Sequence, residues 1–321
     1  MPFVPCVDCS RLRSLPPLCS VPSAVDGRLR LPSRAALLAK RAISDVTRFV
    51  FVAGLEGSGH HAWRDAFAGC TDGDGDGSPC RFACGLATLL SGGSDDAQRG
   101  KLSSAGLFHQ PGNSSRAAAL RLEVMQELRR LASPSAAARP ALYLLNLGQT
   151  PGAQVGMMSF PNWGAGRQRG AMPDLVELST LAEAAGADLR VLLLTRPAAE
   201  MLASTSEHRR FATPARQAAV LTAAAHALDG QLHRIDSRFV FCVDTRRAAS
   251  TRHLASFLHP ALARGGTAEA VWQAALRLIR QPPEFSNASR SSPPPPAPPP
   301  LPELTALSEA VTRLEGRCER A

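Results

Sequence analysis

Four short apolar runs, Phe49–Ala53, Ala141–Leu147, Leu189–Leu194 and Phe239–Val243, recur along this chain with helix-periodic segments between them. This rhythm limits the possible folds more than any other feature. Each run is continuous rather than alternating, which is the pattern of a strand buried on both faces, and such strands belong to parallel sheets covered by helices. The segments Arg116–Leu131, Pro173–Gly186 and Pro214–Leu232 place apolar residues at spacings of three and four, so each predicts a helix that lays one face on the sheet. The expectation is an α/β fold with a central parallel sheet flanked by helices.

The first run ends in "GLEGSGHH", Gly54 to His61. A buried strand that breaks into a glycine turn and opens a helix points backbone N–H groups and the positive end of a helix dipole at an anion. Gly54 and Gly59 have the spacing of the loop G-x-x-x-x-G-K-[ST], but His60 and His61 stand where the lysine and the hydroxyl residue belong. Without a lysine for the β/γ-phosphates and a hydroxyl for magnesium, ordinary ATP or GTP hydrolysis is disfavoured. Two readings remain at this point: an anion loop of another kind, or glycines that only turn the chain.

Composition narrows the partners. With 321 residues, 45% of them hydrophobic, the chain can bury a sizeable core. A net charge of +9 favours anionic partners in general. Aromatics are 5% of the chain and do not interleave with basic residues, so nucleic acid is not expected. No run approaches 18 apolar residues, so no membrane span is expected either. Residues 1–45 are rich in Arg, Ser and Pro and read as a flexible leader, 46–282 as the α/β domain, and 283–321 as a proline-rich tail. Within that tail "SSPPPPAPPPLP" cannot join a sheet and sets a short helical end, Glu303–Cys318, apart from the body.

Other motifs do not lead to a site. Cys6 and Cys9 form a C-x-x-C with no second ligand pair at zinc distance. "DGDGDG", Asp72–Gly77, copies half an EF-hand loop, but Ala83 takes the position of the bidentate Glu. No metal is called for. Cys70, Cys80 and Cys84 can pair in an oxidising compartment, and the sequons at Asn113 and Asn287 permit the same reading, so Golgi lumen and cytoplasm both stay open.

A second anion-binding element stands after the third run. In "VLLLTRPAAEMLASTS", Arg196 falls at the strand-to-helix corner, Pro197 suits the first helical position, and Ser204 returns to the same helix face two turns on. A guanidinium fork and a hydroxyl can then converge on one tetrahedral anion at the carboxyl end of the sheet.

Arg196 and Ser204, eight residues apart, resemble the 3′-phosphate-binding element of the sulfotransferases that use 3′-phosphoadenosine 5′-phosphosulfate (PAPS). "GLEGSGHH" resembles that family's 5′-phosphosulfate loop, a basic residue followed by Ser-Gly-Thr-Thr, and "RFVFCVDTRRAASTRHLASFLHP" resembles its late strand and helix. The resemblance spans roughly residues 48 to 260. It implies a three-layer P-loop NTPase-like fold and transfer of a sulfuryl group from PAPS to a hydroxyl or amine of a glycan, protein or small molecule. It further implies that Gly54, Gly57, Ser58, Gly59, His60, His61, Arg196 and Ser204 bind the nucleotide. The departures are specific: Gly57 stands where the basic residue is expected, and His60 and His61 replace the two threonines. Substitute cations would be His60, His61, Arg167 or Arg169. A base for the acceptor proton would come from His61, Glu56, Asp65 or His109, among which the sequence does not choose; His60 and His61, as stand-ins for the missing cation, are the catalytic candidates. The alternatives are a sulfotransferase-like nucleotide-binding or scaffold protein without turnover, and a nucleotide kinase or NTPase with a degenerate P-loop.

Overall fold

The computed structural model describes residues 47–60, 80–91, 106–110, 112–133, 142–145, 172–208, 213–244, 254, 257–258 and 302–318. Five strands, β1 (Arg48–Gly54), β2 (Cys80–Phe82), β3 (Leu142–Leu144), β4 (Asp188–Thr195) and β5 (Val240–Asp244), form one sheet in the order β2-β3-β1-β4-β5. Every pairing is parallel. Among the described residues six helices have defined bounds: α1 (Cys84–Ser91), α2 (Ser115–Ala132), α3 (Leu175–Ala185), α4 (Ala198–His208), α5 (Pro214–Leu232) and α6 (Pro302–Cys318).

The strand period divides the core in two. Phe49, Phe51, Ala53, Leu189, Val191 and Leu193 point to the face on which all six helices place apolar side chains. Val50, Val52, Leu192 and Leu194 point to the other face, where they meet helical residues Leu254 and Leu258. Burial on both faces is why the runs are continuous in sequence.

Local chemistry sets the helix ends. Ser114, Asp174 and Thr213 each accept a backbone N–H of the first turn of α2, α3 and α5, at 3.0, 2.8 and 3.2 Å. Gly186 closes α3 in the left-handed conformation, with φ of +70°.

The structure departs from the sequence expectations in three places. Strand β2 had no visible signal, because three residues with an arginine at the centre carry no readable period. The last strand begins at Val240, since Asp236 accepts the N–H of Arg238 at 3.0 Å and turns Ser237–Phe239 into a 3-10 helix. The third concerns α6. Rather than standing apart from the body, it buries Leu307, Ala310, Val311 and Leu314 in the main core cluster and packs on α5. The proline run before it lies outside the described residues. Cys80 is disulfide-bonded, and Cys84 carries a thiol.

At the amino end of the sheet Arg48 and Asp188 begin neighbouring strands and face each other in register. Arg48 Nε donates to Asp188 Oδ2 at 2.8 Å, Arg190 Nε lies 3.1 Å from Asp188 Oδ1, and Arg48 Nη1 donates to the carbonyl of Phe257. The Arg190 guanidinium also lies 4.7 Å from the Phe239 ring centroid. Burial pulls the Arg48 guanidinium below its ordinary pKa, against the raising effect of Asp188.

Candidate functional site

The strand order puts a switch point at one place. From β1 the chain goes to β2 on one side of the sheet, and from β4 it goes to β5 on the other, so the neighbours β1 and β4 lead their connections apart. Open α/β sheets bind ligands outside the carboxyl ends of such strands. The two elements there are the glycine loop after β1 and the Arg196 corner after β4.

The loop is a tight turn. Ser58 N–H donates to the Leu55 carbonyl at 3.0 Å, and Gly57, third of the four residues, has φ of +84°, the sign a type II turn needs at that position. Close approach also requires Gly54: a Cβ there would fall 2.9 Å from the Leu194 carbonyl oxygen and collide with the Ser58 hydroxyl. Ser58 is fully buried, with Oγ 3.4 Å from Nδ1 of His60, which is 6% exposed. Gly59 lies between them and is partly exposed.

Helix α4 approaches this turn from β4. Its first intrahelical bond runs from Met201 N–H to the carbonyl of Pro197 at 3.0 Å, so Pro197 caps the helix instead of occupying its first turn. Arg196 therefore leaves the corner with its side chain over the loop. Its Nη1 donates to the Gly57 carbonyl at 3.3 Å and its Nε to Glu200 Oε2 at 2.8 Å. Thr205 Oγ1 lies 2.6 Å from the Met201 carbonyl and 3.3 Å from the Glu56 carbonyl, so one hydroxyl joins α4 to the loop.

The structure thus brings together Gly54, Gly57, Ser58, His60 and Arg196. Ser204 is partly exposed and lies one turn after Glu200 on α4, whereas Arg196 precedes the helix. Glu200 and Thr205 were not among the sequence candidates. The i,i+4 relation of Arg196 to Glu200 was available as a signal, whereas the Thr205 contact depends on how the loop docks. His109 sits in a 3-10 turn, Leu107–His109, and Glu56 is in the loop itself. His61, Asp65, Arg167 and Arg169 lie outside the described residues. Among the described residues no group of His, Cys, Asp or Glu is placed to hold a metal, and no helix is long and apolar enough to cross a membrane.

Chemically, the corner offers a turn of small residues and a guanidinium with N–H groups to spare. Nε and one Nη1 proton are used, which leaves three of the five N–H groups of Arg196 without a partner among the described residues. The side chain is 27% exposed, so the fork reaches solvent. Such an arrangement suits a phosphate or sulfate. The chain matches no model of a known protein family, and no curated protein is detectably similar to it in sequence.

Proposed function

We propose that this chain is a PAPS-dependent sulfotransferase whose nucleotide lies across the carboxyl ends of β1 and β4. The single observation behind the reading is the approach of Arg196 to the glycine loop, Nη1 to the Gly57 carbonyl at 3.3 Å, at the switch point of a parallel sheet. A glycine turn and an arginine fork on adjacent strands fit a ligand with two separate anionic groups, and the lack of a lysine in the loop argues against a nucleoside triphosphate with magnesium. The P-loop NTPase-like assignment of the fold is part of the same proposal.

In the reaction the bond between sulfur and the 5′-phosphate oxygen breaks, a bond from sulfur to the acceptor oxygen or nitrogen forms, and the acceptor proton passes to a base. The nucleotide leaves as 3′-phosphoadenosine 5′-phosphate. By analogy with phosphoryl transfer, the protein mainly positions the groups and stabilises charge, and the scheme needs no metal. His61, Glu56, Asp65 and His109 are the candidates for that base.

A second reading has an observation of its own. The turn has no room for a side chain at position 57, where the family's basic residue would stand, and this favours a protein that binds the nucleotide without turning it over. Transfer of labelled sulfate from PAPS to a panel of glycans, tyrosine peptides and phenols separates the two. Label in any acceptor class supports the enzyme. Nucleotide binding with no transfer to any of the three classes assigns the chain to the second reading.

A further inference from the structure

The backbone excludes a cation from the place where a phosphosulfate loop would carry one. A Cβ on Gly57 would lie 2.7 Å from the Met201 carbonyl oxygen, 2.9 Å from Thr205 Oγ1 and 3.1 Å from Met201 Cα. Two of these three atoms are helix backbone, which cannot move aside as the end of a flexible chain can. The positive φ of +84° disfavours any side chain there in its own right. The loop is pressed onto α4, and the price of that contact is the side chain at position 57.

The same contact delivers a charge from the other element. Arg196 stands two residues past Leu194, which pairs in register with Gly54, so its stem starts one strand away from the loop. Its Nη1 already donates to the Gly57 carbonyl at 3.3 Å, and Glu200 holds Nε at 2.8 Å. The guanidinium is thus fixed over the turn, with three N–H groups left over among the described residues. A planar guanidinium presents donors on separate edges and keeps its charge at any working pH, so one arginine can face two anionic groups.

We propose that Arg196 is the cation of the glycine loop as well as of the second anion position, replacing from β4 the side chain that Gly57 cannot carry. This rests on the nucleotide-site reading above. It assigns to one residue the neutralisation of both ends of the ligand, and it makes Glu200 a positioning residue that also competes with an incoming anion for Nε.

Calorimetric titration with two nucleotides tests this. One is 3′-phosphoadenosine 5′-phosphate; the other is adenosine 5′-phosphosulfate, which has no 3′-phosphate. Arg196→Ala should weaken both by tenfold or more, Arg196→Lys should recover part of the loss for each, and Glu200→Gln should tighten both a few-fold. Melting curves of the same samples establish that the variants are folded. If Arg196→Ala weakens only the ligand with the 3′-phosphate, the shared-cation proposal is overturned while the nucleotide reading stands. If the unaltered protein binds neither nucleotide, both fall. Gly57→Lys gives an independent arm: the proposal expects it to lose binding at least tenfold, and tighter binding by that variant would overturn it.

Discussion

Arg48 and Arg196 stand at opposite ends of the same two strands, and they have been given different neighbours. At the amino end, Arg48 shares Asp188 with Arg190, donates to the Phe257 carbonyl, and has a side chain only 9% exposed. At the carboxyl end, Arg196 has, among the described residues, one half-exposed carboxylate, one backbone carbonyl and open donors beside a turn. A buried charge must be matched within the protein, because leaving it unmatched is destabilising. A charge at a partly open corner can be left incomplete for something else to complete. The difference between structure and site lies in the surroundings of each arginine.

The largest effect is expected at Asp188. Asp188→Ala would leave the buried Arg48 and the partly buried Arg190 without their shared carboxylate, and it should destabilise the protein by about 3–5 kcal/mol in urea denaturation. A loss under about 1 kcal/mol would mean that the amino-end cluster is not structural. Next in size is Leu307→Ala in α6. Leu307 is fully buried, and the helix packs on α5 and touches α4 and β4, so the substitution should cost about 3 kcal/mol. A neutral outcome would show α6 to be dispensable to the body that carries the corner.

Arg196→Ala sharpens the contrast from the other side. Its pairing with Glu200 is an i,i+4 contact with a half-exposed carboxylate, and its loss should change stability by no more than about 0.5 kcal/mol. A cost equal to that of Asp188→Ala would abolish the distinction between the two ends. Smallest is a surface pair on α5 and α6. Arg317 Nε donates to Asp229 Oδ1 at 2.8 Å, and this hydrogen bond holds the Asp229 carboxyl below its ordinary pKa. Since the folded-state value is the depressed one, the contribution is present above the unfolded pKa of about 3.9 and is lost as pH falls through the folded value. With solvent screening, Asp229→Asn should cost a few tenths of a kcal/mol at pH 7, and the gap should close as pH falls through the depressed folded-state value.

The sheet was legible in the sequence wherever a strand was buried on both faces and long enough to show it. Runs at Phe49–Ala53 and Leu189–Leu194 fall inside β1 and β4, the central pair. β2 was hidden because Cys80–Phe82 is three residues long at an edge. α6 was misread in its placement, since the apolar positions Leu307, Ala310, Val311 and Leu314 gave the helical period while the prolines before it suggested a tail. At the candidate site, Gly54, Ser58 and Arg196 could be named because glycine turns and strand-end arginines have local signatures. Thr205 could not be ranked, because its place depends on α4 meeting a loop nearly 150 residues earlier in the chain, whereas Glu200 is a local i,i+4 partner of Arg196 that the spacing alone offered. The reason for glycine at position 57 is tertiary in the same way.

On the proposed function, the carboxyl end of β1 and β4 takes a nucleotide with anionic groups at both its 3′ and 5′ positions. Titration calorimetry of the unaltered chain, without magnesium, against 3′-phosphoadenosine 5′-phosphate and AMP, and with magnesium against ATP, tests it most directly. 3′-Phosphoadenosine 5′-phosphate should bind at least tenfold more tightly than AMP, a difference of about 1.4 kcal/mol, and more tightly than MgATP. Equal or tighter binding of MgATP would contradict it.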